Sequence, residues 1–334
     1  MQSFRLSSYL YFMKVIRHLL LLALIVGARA SSPAMIADGD VRAPSGETYA
    51  VIVSGGRSKM YNHERYWNDC AFLYRTLRQD CHLPKDHITL LMADGDNPAT
   101  DMLRDGATGF ASSPTDLDGD GQPDLSLAAT RQNLDETFRS LSLTLTSSDH
   151  LFIFITDHGE RDGDGSVHLW LWGDEQLTPA GLAALIGQCH PATMNILLGQ
   201  CYAGAFVAEL DKLNSQQGHV ITAACGADQL SWSCKERPYD EFVYHWTCAV
   251  AQHDEQGKPV GSDQDGDGHV TMQEAYDYAR QHDRRPETPG IASVPAGFAG
   301  GWSFGNIGTE SGIPQISNLK SQTSSVYDLH GRKR

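Results

Sequence analysis

"HLFIFITDHG", residues 150–159, and "MNILLGQC", residues 194–201, are the two stretches that decide the fold. Each is an apolar run of strand length. A strand with one wet face alternates apolar and polar residues, whereas a run apolar throughout is buried on both faces. Such strands belong to a parallel sheet covered by helices on both sides. The first run delivers Asp157, His158 and Gly159, and the second delivers Cys201. In open α/β sheets the working crevice lies beyond the carboxyl ends of the strands. The two runs therefore bring an imidazole and a thiol to one rim.

Outward from this pair, "TYAVIVSG" (48–55), "HITLLMA" (87–93) and "HVITAA" (219–224) read as further buried strands. Helices are expected over 64–79, 129–145, 178–189 with Thr178 as N-cap, 203–213, 239–252 and 271–282. "SVHLWLWG" (166–173) alternates like an exposed hairpin strand, with "RDGDG" (161–165) as its turn. The stretch 94–124 is a long polar loop, and 286–314 a Gly/Pro-rich wrapping segment or irregular edge. The expected architecture is a three-layer α/β/α sandwich on a mainly parallel sheet.

The chain has 334 residues, is 41% hydrophobic and 20% charged, and carries a formal net charge of -15. That length supports a large core. The acidic balance argues against nucleic acid and anionic membranes as partners, and fits a chain that binds cations. Lys14 and Arg17 precede "LLLLALIVGA" (19–28), and "ARA" (28–30) follows, as in a signal peptide. An N-terminal membrane anchor is the alternative, but the apolar run is short for a span. Removing residues 1–30 takes away four basic and no acidic residues, so the charge moves from -15 to -19. A secreted, periplasmic or surface protein is expected, with no stable membrane insertion after cleavage. Seven cysteines are too few for a disulfide scaffold, and no CxxC pair suggests zinc.

The chemistry at the two strand ends is specific. A cysteine can attack a carbonyl, and a histidine can take its proton and return it to a leaving amine. The N–H groups of Gly159 and Cys201 could hold the oxyanion, and a glycine leaves room for the carbonyl to approach. A lone cysteine after a strand is usually a small buried hydrophobe, and a lone histidine is usually structural. Both together, beside glycines, favour a reactive pair.

These blocks resemble the caspase–legumain clan of cysteine peptidases, and within it the legumain family. Supporting segments run in order from "YAVIVSGG" through "YNHERYWNDCAFLYRTLR", "ITAACGADQLSWS" and "YDEFVYHW", covering roughly 48–250. The resemblance implies a caspase-like fold and a peptide or protein substrate, with no organic cofactor. It implies His158 and Cys201 as the dyad, Asn62 as the group orienting the histidine, and Asp157 as an aspartate that can form a succinimide. Ser231 and Asp240 fall on substrate-pocket positions. The family's pocket arginine falls on Glu64 and its pocket acid on Gly199. With Glu64 and Asp240 lining it, the pocket is expected to be acidic and to favour lysine or arginine before the scissile bond, with asparagine as the alternative; Arg65 could swing in and neutralise it.

"DQDGDGHVTMQE" (263–274) matches an EF-hand calcium loop, with Asp263, Asp265, Asp267, the carbonyl of His269, Thr271 and Glu274 as ligands. "DLDGDGQPD" (116–124) offers Asp116, Asp118, Asp120, the carbonyl of Gln122 and Asp124. Structural Ca2+ is expected at both. The expected layout is a signal peptide (1–30), a linker (31–45), a catalytic domain (46–285) and a wrapping segment with a polar tail (286–334), whose end "VYDLHGRKR" resembles the opening of a type IX secretion sorting domain. The expected activity is a secreted, calcium-stabilised cysteine endopeptidase. A transpeptidase with the same dyad, and a calcium-binding interaction module on an inactive peptidase fold, are the alternatives.

Overall fold

The computed structural model describes residues 46–105, 109–216 and 218–304. The expected signal peptide, the linker and the polar tail lie outside the described residues.

In chain order the strands are β1 (Thr48–Ser54), β2 (Ile88–Met92), β3 (Met102–Leu103), β4 (Phe110–Ala111), β5 (His150–Thr156), β6 (Gly159–Arg161), β7 (Val167–Leu171), β8 (Glu175–Leu177), β9 (Thr193–Leu198), β10 (Gly218–Ala223) and β11 (Gly290–Val294). The helices are α1 (Glu64–Arg75), α2 (Arg131–Thr144), α3 (Pro179–Ile186), α4 (Gly204–Leu210), α5 (Glu241–Ala251) and α6 (Met272–His282). The main sheet has the order β11-β10-β9-β5-β1-β2. Five strands are parallel and β11 runs antiparallel on the edge.

Period-two alternation divides the apolar strands between two cores. Val51, Val53, Ile153, Ile155, Ile196 and Ile221 meet α2, α3 and α4 on one face. Ala50, Ile52, Phe152, Phe154, Leu197 and Val220 meet α1, α5 and α6 on the other. This is the expected three-layer, caspase-like sandwich. Trp246 of α5 is fully buried and stacks on Phe152 with ring centroids 5.8 Å apart. Truncating it to alanine would cost about 3–5 kcal/mol. Helix starts follow local chemistry: Thr130 and Thr178 accept the N–H groups of Asn133 and Gly181, with Pro179 at the first turn of α3. Among the described residues no helix is long and apolar enough to cross a membrane.

The chain goes from β1 to β2 on one side, then returns to β5 on the other side of β1. That reversal opens a crevice beyond the carboxyl ends of the strands.

Three expectations are corrected. Strand β7 is not exposed: its residues 168–171 are buried within a three-stranded antiparallel sheet, β6-β7-β8, whose Leu169 and Leu171 join the α2–α4 core. Helix α1 ends at Arg75 and continues as a π turn over Thr76–Asp80. The wrapping segment contains a regular edge strand, β11, paired with β10 from His219↔Val294 to Ala223↔Gly290. The 161–165 turn does join β6 to β7, as expected.

Candidate active site

Strands β5 and β9 pair in register up to Ile155↔Leu198, so His158 and Cys201 leave the sheet on neighbouring strands. The backbones then touch. A Cβ on Gly159 would come within 2.0 Å of the Cys201 carbonyl oxygen, so only glycine fits there.

His158 is held on every side. Its N–H donates to the Asp157 carboxylate at 2.7 Å, and its carbonyl accepts the Trp170 N–H at 2.9 Å. Its ring Nε2 lies 3.0 Å from the carbonyl oxygen of Tyr61. A carbonyl only accepts, so Nε2 carries the hydrogen and Nδ1 is left as the free base. The rings of Tyr66, His63 and Tyr61 stand edge-on at 5.4, 5.8 and 5.9 Å. Burial pushes the imidazole pKa down to about 4; the Arg65, His63 and Arg57 charges push the same way, and the Tyr61 bond opposes them.

The expected role of Asn62 is corrected here. Its side-chain amide donates to the Asp101 carbonyl at 3.1 Å and faces the Asp101 carboxylate at 3.4 Å. The imidazole partner is instead the backbone of the preceding residue. Asn62 still bears on the histidine, because its N–H donates to Ser58 O at 3.0 Å. That N–H and the Tyr61 carbonyl belong to one planar peptide group and point opposite ways. Fixing one aims the other.

Asp157 sits at φ 103°, a left-handed conformation that costs a non-glycine residue about 1–3 kcal/mol. It is retained because its carboxylate ties β1 to β5, accepting Ser54 Oγ–H at 3.1 Å and Gly56 N–H at 2.7 Å. Burial raises its pKa to about 7, against these donors. Cys201 Sγ lies 3.7 Å from the Ser231 carbonyl, and burial raises the thiol pKa. The resting pair at neutral pH is thus thiol and neutral imidazole. Gly159 opposes Leu169, while the flanking pair His158/Trp170 is bonded across the ladder. Alternation turns the Gly159 N–H away from β7. The Cys201 N–H makes no hydrogen bond among the described residues.

The pocket beside them differs from the expected acidic one. Glu64 does not line it: its carboxylate accepts the Asp105 N–H at 3.1 Å, at the start of α1. Arg65, one residue on, is the side chain that reaches Asp240. Its Nε donates to Asp240 at 2.9 Å, its Nη2 to the Tyr66 hydroxyl at 2.7 Å, and Asp105 lies 3.9 Å from Nη1. Burial works against the guanidinium charge, but Asp240, Tyr66 and Asp105 more than restore it. Asp240 N–H reaches Asp69, whose carboxyl is fully buried and held well above the carboxylate range by that burial and by Asp240. A neutral Asp69 leaves the Arg65 cation between two carboxyl groups, Asp240 and Asp105. Gly199 cannot supply an acid, since a Cβ there would come within 2.7 Å of Val243. Among the described residues the Ser231 hydroxyl oxygen is buried without a partner.

The far wall is tied down by residues with no sequence signal. Glu287 Oε2 accepts the Trp232 N–H at 3.0 Å, and Thr288 exchanges hydrogen bonds with Gln229. The Tyr61 carbonyl was equally unreadable, because a backbone acceptor needs no residue type. Arg65 had a signal, three residues after Asn62 in "NHER", offset by one from the expected spacing.

The two acidic loops fold alike. Asp263 accepts the N–H groups of Gly266 and Gly268, and Asp116 those of Gly119 and Gly121. In each loop three carboxylates, Asp263/Asp265/Asp267 and Asp116/Asp118/Asp120, bring one oxygen each within 4.8 Å of one another. Hard oxygen donors converging this closely suit Ca2+. Asp124 is corrected: it faces away, bound by Leu117 N–H at 2.8 Å, the Tyr74 hydroxyl at 2.8 Å and Lys85 at 2.6 Å. Thr271 and Glu274 close on each other as the capping box of α6, and Glu274 also accepts the Gln264 N–H. The N–H groups of His269 and Gln122 donate to Asp267 and Asp120.

No curated protein matches the chain. Among solved structures, protein GSU0716 from Geobacter sulfurreducens is similar at 11% identity and a TM-score of 0.41, over 74% of this chain and 93% of that one. The family model described as the Peptidase C13 family matches residues 127–286. That segment holds both His158 and Cys201, and over it the chain is similar to a family of cysteine peptidases.

Proposed function

We propose that this chain is a secreted cysteine endopeptidase that cuts after a residue carrying a side-chain amide. The observation that carries the reading is the imidazole whose Nε2 is spent on the Tyr61 carbonyl, at the strand end beside that of Cys201. Nδ1 takes the thiol proton as Sγ attacks the scissile carbonyl. The Gly159 and Cys201 N–H groups receive the oxyanion. The imidazolium then protonates the leaving amine, and water, deprotonated by the same nitrogen, hydrolyses the thioester.

The pocket supports an amide by exclusion as well as attraction. An amide oxygen can accept from Arg65 while its NH2 donates to Asp240, and the Ser231 hydroxyl gains the partner it lacks. Lysine or arginine would face the Arg65 charge, and aspartate or glutamate the Asp240 charge. This replaces the preference for basic residues. Fluorogenic peptides differing only at the residue before the scissile bond test it. Cleavage after asparagine is expected; cleavage confined to lysine or arginine would overturn the pocket.

Calcium would be held by Asp263, Asp265 and Asp267, and by Asp116, Asp118 and Asp120. Bound there, it would neutralise carboxylates that otherwise repel each other, and it takes no part in the bond-breaking. Export is proposed from the residues 1–30 pattern, with a mature terminus near Ser31.

A further inference from the structure

Arg57 lies in the loop after β1. Its guanidinium carbon stands 3.8 Å from the Trp170 ring centroid and 4.8 Å from that of Tyr61. Its Nε donates to Asp174 at 2.8 Å, and Nη1 lies 3.6 Å from Glu160. Glu160 in turn accepts the Trp170 indole N–H at 2.8 Å. The Arg57 carbonyl accepts the N–H groups of Gly173 and Asp174 at 2.9 and 3.2 Å. One residue thus joins the β6–β8 sheet to the 57–62 loop through both its backbone and its side chain. Its φ of 51° is a left-handed conformation, which contacts elsewhere must sustain.

The two bodies it joins are the two that grip His158. The β6–β8 sheet supplies the Trp170 N–H to the His158 carbonyl, and the loop supplies the Tyr61 carbonyl to the His158 ring. Tyr61 is 44% exposed, so packing alone does not fix it. We propose that Arg57 is a positioning residue: by clasping Trp170, Asp174 and Tyr61 it sets the distance between the Tyr61 carbonyl and His158, and so the aim of the catalytic imidazole. A cation between two rings is well suited to this, because its attraction to each ring face falls away as the rings part. The inference rests on the peptidase reading for its consequence, but its geometric part does not.

The test has two readouts on the full chain. The first is kcat per active site, with sites counted by covalent titration of Cys201 so that loss of folded protein drops out. Arg57→Met and Asp174→Asn should each lower this kcat about 10- to 100-fold with KM within about twofold, as a displaced catalytic group does. Arg57→Lys should recover part of it. The double variant should lose less than the product of the single losses, since both act through one clasp. The second readout needs no substrate. The His158 Nε2–H resonance, slowed in exchange by the Tyr61 carbonyl, should be visible in the wild type and broadened or lost in Arg57→Met. A per-site kcat within twofold of wild type in both variants, or an unchanged Nε2–H resonance in a folded Arg57→Met, overturns the proposal. If Arg57→Met does not fold, Arg57→Lys and Asp174→Asn carry both readouts. A wild type that cleaves no peptide, yet loses the resonance on substitution, sinks the peptidase reading and leaves the clasp standing.

Discussion

The Tyr61–Asn62 peptide group sets which nitrogen of His158 carries the hydrogen. Its carbonyl holds the hydrogen on His158 Nε2, and burial keeps the ring neutral with a pKa of about 4. A base must be unprotonated to act, so the acidic limb of kcat/KM should fall near pH 4, below the ordinary histidine value of about 6.5. A limb near 6.5 would mean that the ring is solvated. The same depressed value removes stability on acidification: between pH 6.5 and about 4 an unfolded chain takes up a proton that the folded ring refuses. Asn62→Ala should cost about 1–2 kcal/mol through the lost bond to Asp101, seen as a lower denaturation midpoint, and should reduce kcat with little change in KM. At this scale the sequence was readable wherever chemistry needs a side chain. His158 and Cys201 stand out as residue types at strand ends, whereas Asp240 and Ser231 came only from the resemblance to the legumain family. The carbonyl of Tyr61 has no residue signature, so its work was credited to the neighbouring Asn62. Arg65 was visible but displaced by one position, and one step along a helix turns a side chain by about 100°. That step separates Glu64, bound to the Asp105 N–H, from Arg65, paired with Asp240.

The elements that frame the site were legible in proportion to how apolar they are. Strands β1, β2, β5, β9 and β10 are continuous apolar runs, and each was bounded within a residue or two. Strand β11, "GIASV", is short and mixed, and only its pairing with β10 makes it a strand. The segment leading into it, Asp283–Thr288, has its own chemistry. Burial and the nearby Asp283 carboxyl raise the Glu287 pKa to about 9, while Glu287 holds Trp232 by its N–H. A raised carboxyl contributes stability that is fully present below the ordinary value of 4.5 and is lost progressively as pH rises from there to about 9. Wild type should therefore lose thermal stability relative to Glu287→Gln progressively from about pH 4.5 to 9, with no further divergence above about 9. Parallel melting curves across that range would refute a protonated Glu287.

The molecule as a whole is an acidic chain built around a neutral thiol and a neutral imidazole. Its net charge of -15 is concentrated in part in the two Asp-rich loops, whose repulsion a divalent cation would relieve. At a hundredfold excess over Kd, calcium should raise Tm by about 5–10 °C, and Asp263→Ala with Asp116→Ala should remove that gain. A Tm indifferent to chelator would count against both sites. The central claim concerns Cys201. An asparagine-containing peptidyl acyloxymethyl ketone, followed by mass spectrometry of the digested protein, tests it most directly. The account predicts one adduct, on Cys201, formed by folded protein and blocked by prior cleavage substrate, with Cys201→Ala folded but unlabelled and without peptide cleavage. Labelling spread over the other six cysteines, or peptide cleavage undiminished in Cys201→Ala, would contradict it.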